Sequence, residues 1–170
     1  MLFSCENNME TISSFAVNDT LPTESAVDIE VIYSDSGKIL IKMISPKLDR
    51  YQKTENSYME FPDGLRLLFF DSVMNVKTEL TANYGISWES NKRMEVKNNV
   101  VITDYEKNEV INTEHIIWDQ KNRRIFSDVF VKRTSPDGVL YGDGFDADES
   151  FKTYKLRNPH GIFTVDEDGN

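Results

Sequence analysis

Few side chains in this 170-residue chain are of the types and at the spacings that chemistry needs. The two histidines, His115 and His160, fall in a strand-like run and in a turn, and no Gly-x-Ser-x-Gly elbow lies near either. Both read as structural. Asp143, Asp146, Asp148 and Glu149 bring oxygens together at alternating spacing, but the remaining ligands of a calcium loop are missing, which favours a solvated acidic turn. With 29 acids a carboxylate pair for hydrolysis can always be drawn, and nothing singles one out. The opposite sign gathers at Lys121, Arg123, Arg124, Lys132 and Arg133 with only Asp128 between them, a local charge of +4. Such a patch can meet phosphate groups or simply solvate a turn and its flanking strand. No catalytic residue, cofactor or metal-ligand set is expected.

The single cysteine excludes a disulfide framework and a four-cysteine metal site. It closes the run Leu2-Phe3-Ser4-Cys5, which resembles the lipobox of bacterial lipoproteins, with Phe3 a departure from the usual small or branched residue. Lipidation of Cys5 implies a basic and hydrophobic leader that begins before Met1; the other reading is an incidental cysteine. Residues 6–26 are rich in Asn, Thr, Ser and Glu without a sustained period, and read as a tether.

The net charge of −10 argues against nucleic acid, since phosphate binding needs clustered Lys and Arg. Its distribution says more. Residues 1–37 hold seven acids and no Lys or Arg, and residues 166–170 hold three acids, so residues 38–165 are neutral. No stretch approaches the roughly 18 uninterrupted apolar residues of a spanning helix. One domain at residues 27–165, between the tether and an acidic tail at 166–170, is the expected organisation.

Within that domain the dominant period is two. Val27, Ile29, Val31 and Tyr33 alternate with polar residues up to the turn Ser34-Asp35-Ser36-Gly37, and residues 38–44 return as a second strand. Further runs are expected at 57–61, 65–71, 73–80, 85–88, 93–97, 100–104, 109–112, 115–119, 124–133, 139–141, 151–156 and 162–165. Turn formers such as Pro62-Asp63-Gly64, Asn98-Asn99 and Pro136-Asp137-Gly138 separate them. Leu48 and Tyr51 suit one short polar helical turn. Many short strands spaced by turns predict an all-β sandwich, barrel or jelly roll. Residues 65–71 and 124–132 are apolar on both faces, so both faces are covered or one meets an apolar ligand.

At this point a resemblance can be stated. Phe61-Pro62-Asp63-Gly64, Phe70-Asp71, Leu80-Thr81-Ala82, Asn99-Val100-Val101, Thr113-Glu114 with Trp118-Asp119, Ile125-Phe126-Ser127-Asp128, Tyr141-Gly142-Asp143-Gly144-Phe145 and Asn158-Pro159-His160-Gly161 resemble, in order and spacing, the LptC family. That family is the periplasmic component of the lipopolysaccharide export ABC transporter. The match covers about residues 27–161. Many members carry an N-terminal membrane helix, and this sequence shows at most the remnant of a lipidation signal.

The resemblance implies an open, twisted antiparallel β-jellyroll, anchored to the inner membrane and facing the periplasm, whose groove holds the acyl chains of lipid A. It implies partners too: the jellyroll domains of the inner-membrane transporter and of a periplasmic LptA-like bridge protein, joined by pairing of edge strands. The edge candidates are residues 27–33, where Asp28 and Glu30 limit nonspecific pairing or are merely solvated, and 151–156 or 162–165. An acyl chain of about a dozen methylenes left in water costs roughly 10 kcal/mol at about 0.8 kcal/mol each, so a carrier must line its path with apolar side chains. Candidates are Leu67, Phe69, Ile102, Ile116, Trp118, Ile125, Val129, Val131, Leu140 and Phe145, with a closed sandwich core as the alternative for each. Arg123, Arg124, Lys132 and Arg133 are the candidate contacts for lipid A phosphates. Gly142 and Gly144 are placed to bend a strand near the end of the groove. A different class of function remains open, a β-jellyroll lipoprotein that binds carbohydrate through Trp88, Trp118 and surface tyrosines.

Overall fold

A computed structural model describes residues 21–35, 37–53, 56–151 and 153–163. Fourteen strands form one antiparallel sheet: β1 (Glu24–Asp35), β2 (Lys38–Tyr51), β3 (Tyr58–Phe61), β4 (Leu65–Phe70), β5 (Val76–Ala82), β6 (Tyr84–Trp88), β7 (Arg93–Asp104), β8 (Glu109–Asp119), β9 (Arg124–Ser127), β10 (Val131–Ser135), β11 (Gly138–Gly142), β12 (Gly144–Asp148), β13 (Tyr154–Arg157) and β14 (His160–Phe163). The all-β character read from the period-two pattern is what the chain adopts, and the single antiparallel sheet is consistent with the jellyroll that the family resemblance implied.

The sheet folds over on itself because its long strands change partners midway. The first part of β2 pairs with β4 and its end with β3. The first part of β7 pairs with β6 and its second part with β5, while β8 pairs with β10 and then with β9. One layer therefore runs β1, β2, β4, β5, β7, β8, β10, β11, β14, and the other runs β3, β6, β7, β8, β9, β12, β13. Their inner faces share one core, with Leu67, Phe69, Leu80 and Ile102 from the first layer and Met94, Val96, Ile116, Ile125 and Phe145 from the second.

The crossings between layers line up as a ridge. In β7, Asn98 and Asn99 both take left-handed backbone at φ 66° and 52°, conformations that asparagine tolerates better than most residues. The ridge is tied across strands. Ser45 donates to the carbonyl of Gly64 at 2.7 Å, the Asn83 amide donates to the carbonyl of Asn98 at 3.0 Å, and the Asn99 amide donates to the Glu114 carboxylate at 3.0 Å. Glycine is required at two of these corners. A Cβ on Gly64 would stand 2.5 Å from the carbonyl oxygen of Ala82, and one on Gly144 would collide with that of Ser127. Gly142-Asp143-Gly144 is thus where the chain passes from β11 in one layer to β12 in the other.

Several local expectations are corrected. Asn98-Asn99 does not end a strand but forms a bulge inside β7, and residues 109–119 are likewise continuous. The run 124–133 divides into β9 and β10, since Asp128, Val129 and Phe130 form a corner between layers. Strand β12 was not anticipated, because Asp146 and Asp148 break its apolar reading. Leu48 and Tyr51 lie in β2 and not on a helical turn, and His160 opens β14. β1 is already paired from Glu24.

Candidate functional site

Opposite the ridge the layers part, and a cleft of about 680 Å³ opens between their free ends. One wall is Tyr33 of β1, Leu40 and Ile41 of β2, Phe69 and Phe70 of β4, and Lys77 of β5. The other is Lys92, Trp118, Gln120, Arg123 and the turn Asp148-Glu149-Ser150. Phe69 and Trp118 also border a gap of about 10 Å³ behind the cleft, shared with Leu67, Leu80, Met94, Val96, Ile116 and Ile125. The cleft therefore meets the apolar interior at those two rings.

Strand register explains why. In an antiparallel sheet directly opposed residues share a face. One inner row of the first layer reads Val31, Met43, Leu67, Leu80, Ile102, Ile111, Arg133 and Leu140, from the edge strand β1 inward. The next row reads Tyr33, Ile41, Phe69, Thr78, Asp104 and Glu109. In the second layer Met94, Trp118, Ile125, Ala147 and Tyr154 are aligned in the same way.

Of the ten apolar candidates, Leu67, Phe69, Ile116, Trp118 and Ile125 are brought together around the cleft and the gap behind it. Ile102 borders a second gap of about 10 Å³ with Thr78, Asp104, Glu109, Ile111, Phe151 and Tyr154. Val131 and Phe145 are wholly buried, and Leu140 is half-buried on β11. Val129 stands apart, exposed beside Phe130 in a separate depression on the ridge side. Leu68, on the outer face of β4, is buried between its register neighbours Lys42 and Glu79, which accounts for an apolar residue on each face of that strand.

The basic patch does not form one surface. Arg123 reaches the cleft and pairs with Glu149 at 3.1 Å, and Arg124 pairs with Asp146 at 2.5 Å. Lys132 points outward on β10 and Arg133 inward, where it pairs with Glu109. The cleft instead carries Lys77, paired with Glu106 at 3.2 Å, and Lys92 at its rim, neither of them anticipated. Both follow turns, and their signal is the strand ends that those turns define.

The acidic residues 143–149 are occupied by protein partners. Asn158 donates to Asp143, Arg124 and Arg157 pair with Asp146, and the Trp118 indole donates to Glu149 at 3.2 Å. The Asp148 carboxylate accepts from the amides of Ser150 at 2.9 Å and Thr153 at 2.6 Å. Burial opposes its charge, but those donors and the two side-chain hydroxyls outweigh it and hold the acid far below the usual aspartate range. This turn sets Phe151 at φ 53° and directs its buried ring edge-on against Phe69, centroids 5.1 Å apart. Phe151 was expected to begin a strand; the signal against that is the Asp-x-Ser spacing of an Asx turn.

Tyr154 completes the contact between layers. Its hydroxyl donates to Glu109, which Arg133 also engages, and Lys107 lies 5.2 Å from its ring. Burial works against the Glu109 charge, but Arg133 and Tyr154 prevail and keep its pKa below the ordinary glutamate value. Burial, and then the carboxylate beside it, push the Tyr154 hydroxyl well up. Of the two histidines, His115 meets Glu95 at 3.0 Å and His160 lies against the Tyr141 ring. Trp88 ends β6, half-buried and away from the cleft lining.

Among the described residues β1 pairs only with β2, β13 only with β12, and β14 only with β11, so each leaves an open edge. At the β1 edge Val31 and Tyr33 belong to the inner rows yet are 46% and 53% exposed, because nothing continues the rows beyond them. Glu30 pairs with Lys42 at 2.8 Å. Cys5 and residues 164–170 lie outside the described residues. No described helix is long and apolar enough to cross a membrane.

A family model for lipopolysaccharide-assembly, LptC-related proteins matches residues 26–159. No curated protein matches the chain. The family match starts in β1 and ends at the corner between β13 and β14, so it takes in both layers, the ridge and the cleft. The chain belongs to the LptC-related family, a periplasmic and inner-membrane-associated family of lipopolysaccharide transport and not an enzyme family.

Proposed function

We propose that this chain is a carrier that receives lipopolysaccharide from the inner-membrane transporter and passes it on along a bridge of jellyrolls. The acyl chains lie between the two layers and the polar part of the lipid leaves through the cleft. The observation that carries this reading is the apolar row from Val31 to Ile111, which begins at an open sheet edge and lies beside a cleft bordered by Phe69 and Trp118. An apolar inner face left exposed at a sheet edge is unusual for a monomer and marks a surface meant to be continued. Strand addition at β1 on one side and at β13 or β14 on the other extends the row into a neighbouring jellyroll. Lys77, Lys92 and Arg123 at the rim supply positive charge where lipid A phosphates emerge. The residues before β1 serve as the tether, with Cys5 as the acylated anchor.

Photocrosslinking tests the carrier reading directly. A photoreactive residue at Leu67, Trp118, Ile125 or Phe145 in cells is expected to give a lipopolysaccharide adduct, while one at Val129 gives none. Failure of every interior position to give an adduct rules the carrier role out.

A further inference from the structure

The interior of this structure is nearly full. The two gaps between the layers are each about 10 Å³, room for about one water molecule, so an acyl chain can lie there only after the layers move apart. On the ridge side they cannot separate, since β2, β7 and β8 run through both. Movement is confined to the free ends, where the end of the β12–β13 hairpin reaches across from the second layer to the first. It does so through the Phe151 ring on Phe69, the Tyr154 hydroxyl on Glu109 and the Tyr154 ring beside Lys107.

We infer that Phe151 and Tyr154 form a latch that holds the layers together on one side of the cleft, and that lipid reaches the interior by releasing it. This rests on the carrier reading above and adds how its pocket is opened. Three observations support a latch over a permanent tie. The contacts adjoin the cleft itself: Phe69 lines it, and Asp148, Glu149 and Ser150 form part of its wall. The closed state also holds an uncommon backbone conformation in the hairpin. Phe151 sits at φ 53°, a left-handed conformation uncommon for a bulky residue and typical of switch segments. Lastly, Glu109 keeps Arg133 when Tyr154 leaves, so opening strands no buried charge.

The test uses the purified full chain and a fluorescent lipopolysaccharide in stopped flow, with Tyr154→Phe as the variant, which deletes the hydroxyl and keeps the ring. Loss of one hydrogen bond to a charged group is expected to speed association about tenfold to a hundredfold. It should also speed amide exchange in β12 by a similar factor. If wild type and Tyr154→Phe both bind and associate at the same rate, the latch is overturned and the carrier reading stands. If wild type takes up no lipopolysaccharide, the carrier reading falls and takes with it the role of the latch in lipid uptake. The exchange rates then judge the tie alone: faster exchange upholds it, unchanged exchange removes it. Phe151→Leu, which withdraws the ring from Phe69, provides the same comparison should Tyr154→Phe not fold.

Discussion

The row of residues that runs from Tyr33 to Glu109 has two unlike halves. Tyr33, Ile41 and Phe69, on β1, β2 and β4, are apolar and face an open cleft. Thr78, Asp104 and Glu109, on β5, β7 and β8, are polar, yet they are buried beneath Phe151 and Tyr154. Ile41 and Phe69 are buried as well, with only Tyr33 exposed at the sheet edge, so the costly half is the covered one, where polar groups lose on leaving water unless paired. The covered half meets most of this cost locally: Glu109 has Arg133 and Tyr154, and Asp104 accepts from the amides of Glu106 and Lys107 at 3.0 Å each. In the open half only Tyr33 is left exposed, at the edge where β1 ends the row. The buried polar ties belong to the covered half, and the proposed carrier role draws on the open one.

That division can be broken by experiment. Phe145 is wholly buried in the core shared by the two layers, so Phe145→Ala should cost about 3–5 kcal/mol, measured by chemical denaturation. A cost below about 1 kcal/mol would show that the core is not continuous across the layers. In the covered half, Arg133→Met leaves the buried Glu109 without its cation and should destabilise by roughly 3 kcal/mol. Restoring neutrality with Glu109→Gln in the same chain should recover part of that loss.

Acid sensitivity sharpens the same comparison. The folded-state pKa values of Glu109 and Asp148 are both lowered, so their contribution is complete above the ordinary carboxylate range, about pH 4, and is lost as pH falls through the lowered values. Thermal melts below about pH 4 should therefore decline less steeply for Glu109→Gln than for wild type. An identical slope would place the acid sensitivity elsewhere. The smallest stability effect belongs to the open half. Val31→Ser and Tyr33→Ala should shift stability by no more than about 0.5 kcal/mol. Both should nevertheless reduce lipopolysaccharide crosslinking from Leu67, and a large loss of stability with unchanged crosslinking would invert the assignment of the two halves.

Much of the fold could be read from local chemistry. Many of the residues that carried the family resemblance are corners of the jellyroll: Pro62-Asp63-Gly64, Asn99, Glu114, Ser127-Asp128, Gly142-Asp143-Gly144 and Asn158-Pro159 stand where the chain crosses between layers, whereas Phe70-Asp71 and Trp118-Asp119 lie at strand ends on the cleft side. The identities of the corner residues are dictated by backbone geometry and close approach, as Gly64 and Gly144 show, so they leave a legible order and spacing. The candidate site was legible in part. The apolar runs at residues 65–71 and 115–119 made Leu67, Phe69, Ile116 and Trp118 candidates, and the fold brings them together around the cleft and the gap behind it. Val129 was misleading, because a strand-like run continues through residues that form a corner. Phe151 was hidden for the opposite reason, an apolar residue in a turn that looks like the start of a strand.

The amino-acid sequence by itself determined the all-β character, most of the turns, the alternation that separates inner from outer faces, and the family. Each depends on hydrogen bonds and steric limits within a few residues of one another. Only the tertiary structure decided which inner residues are core and which border a cleft, since that depends on register accumulated across as many as nine strands. It alone also decided which charges are neutralised. Glu109 and Tyr154 lie 45 residues apart, and no local pattern brings them together. They meet because the sheet folds at its ridge, and the same fold leaves Phe69 and Trp118 at the boundary between a closed interior and an open cleft.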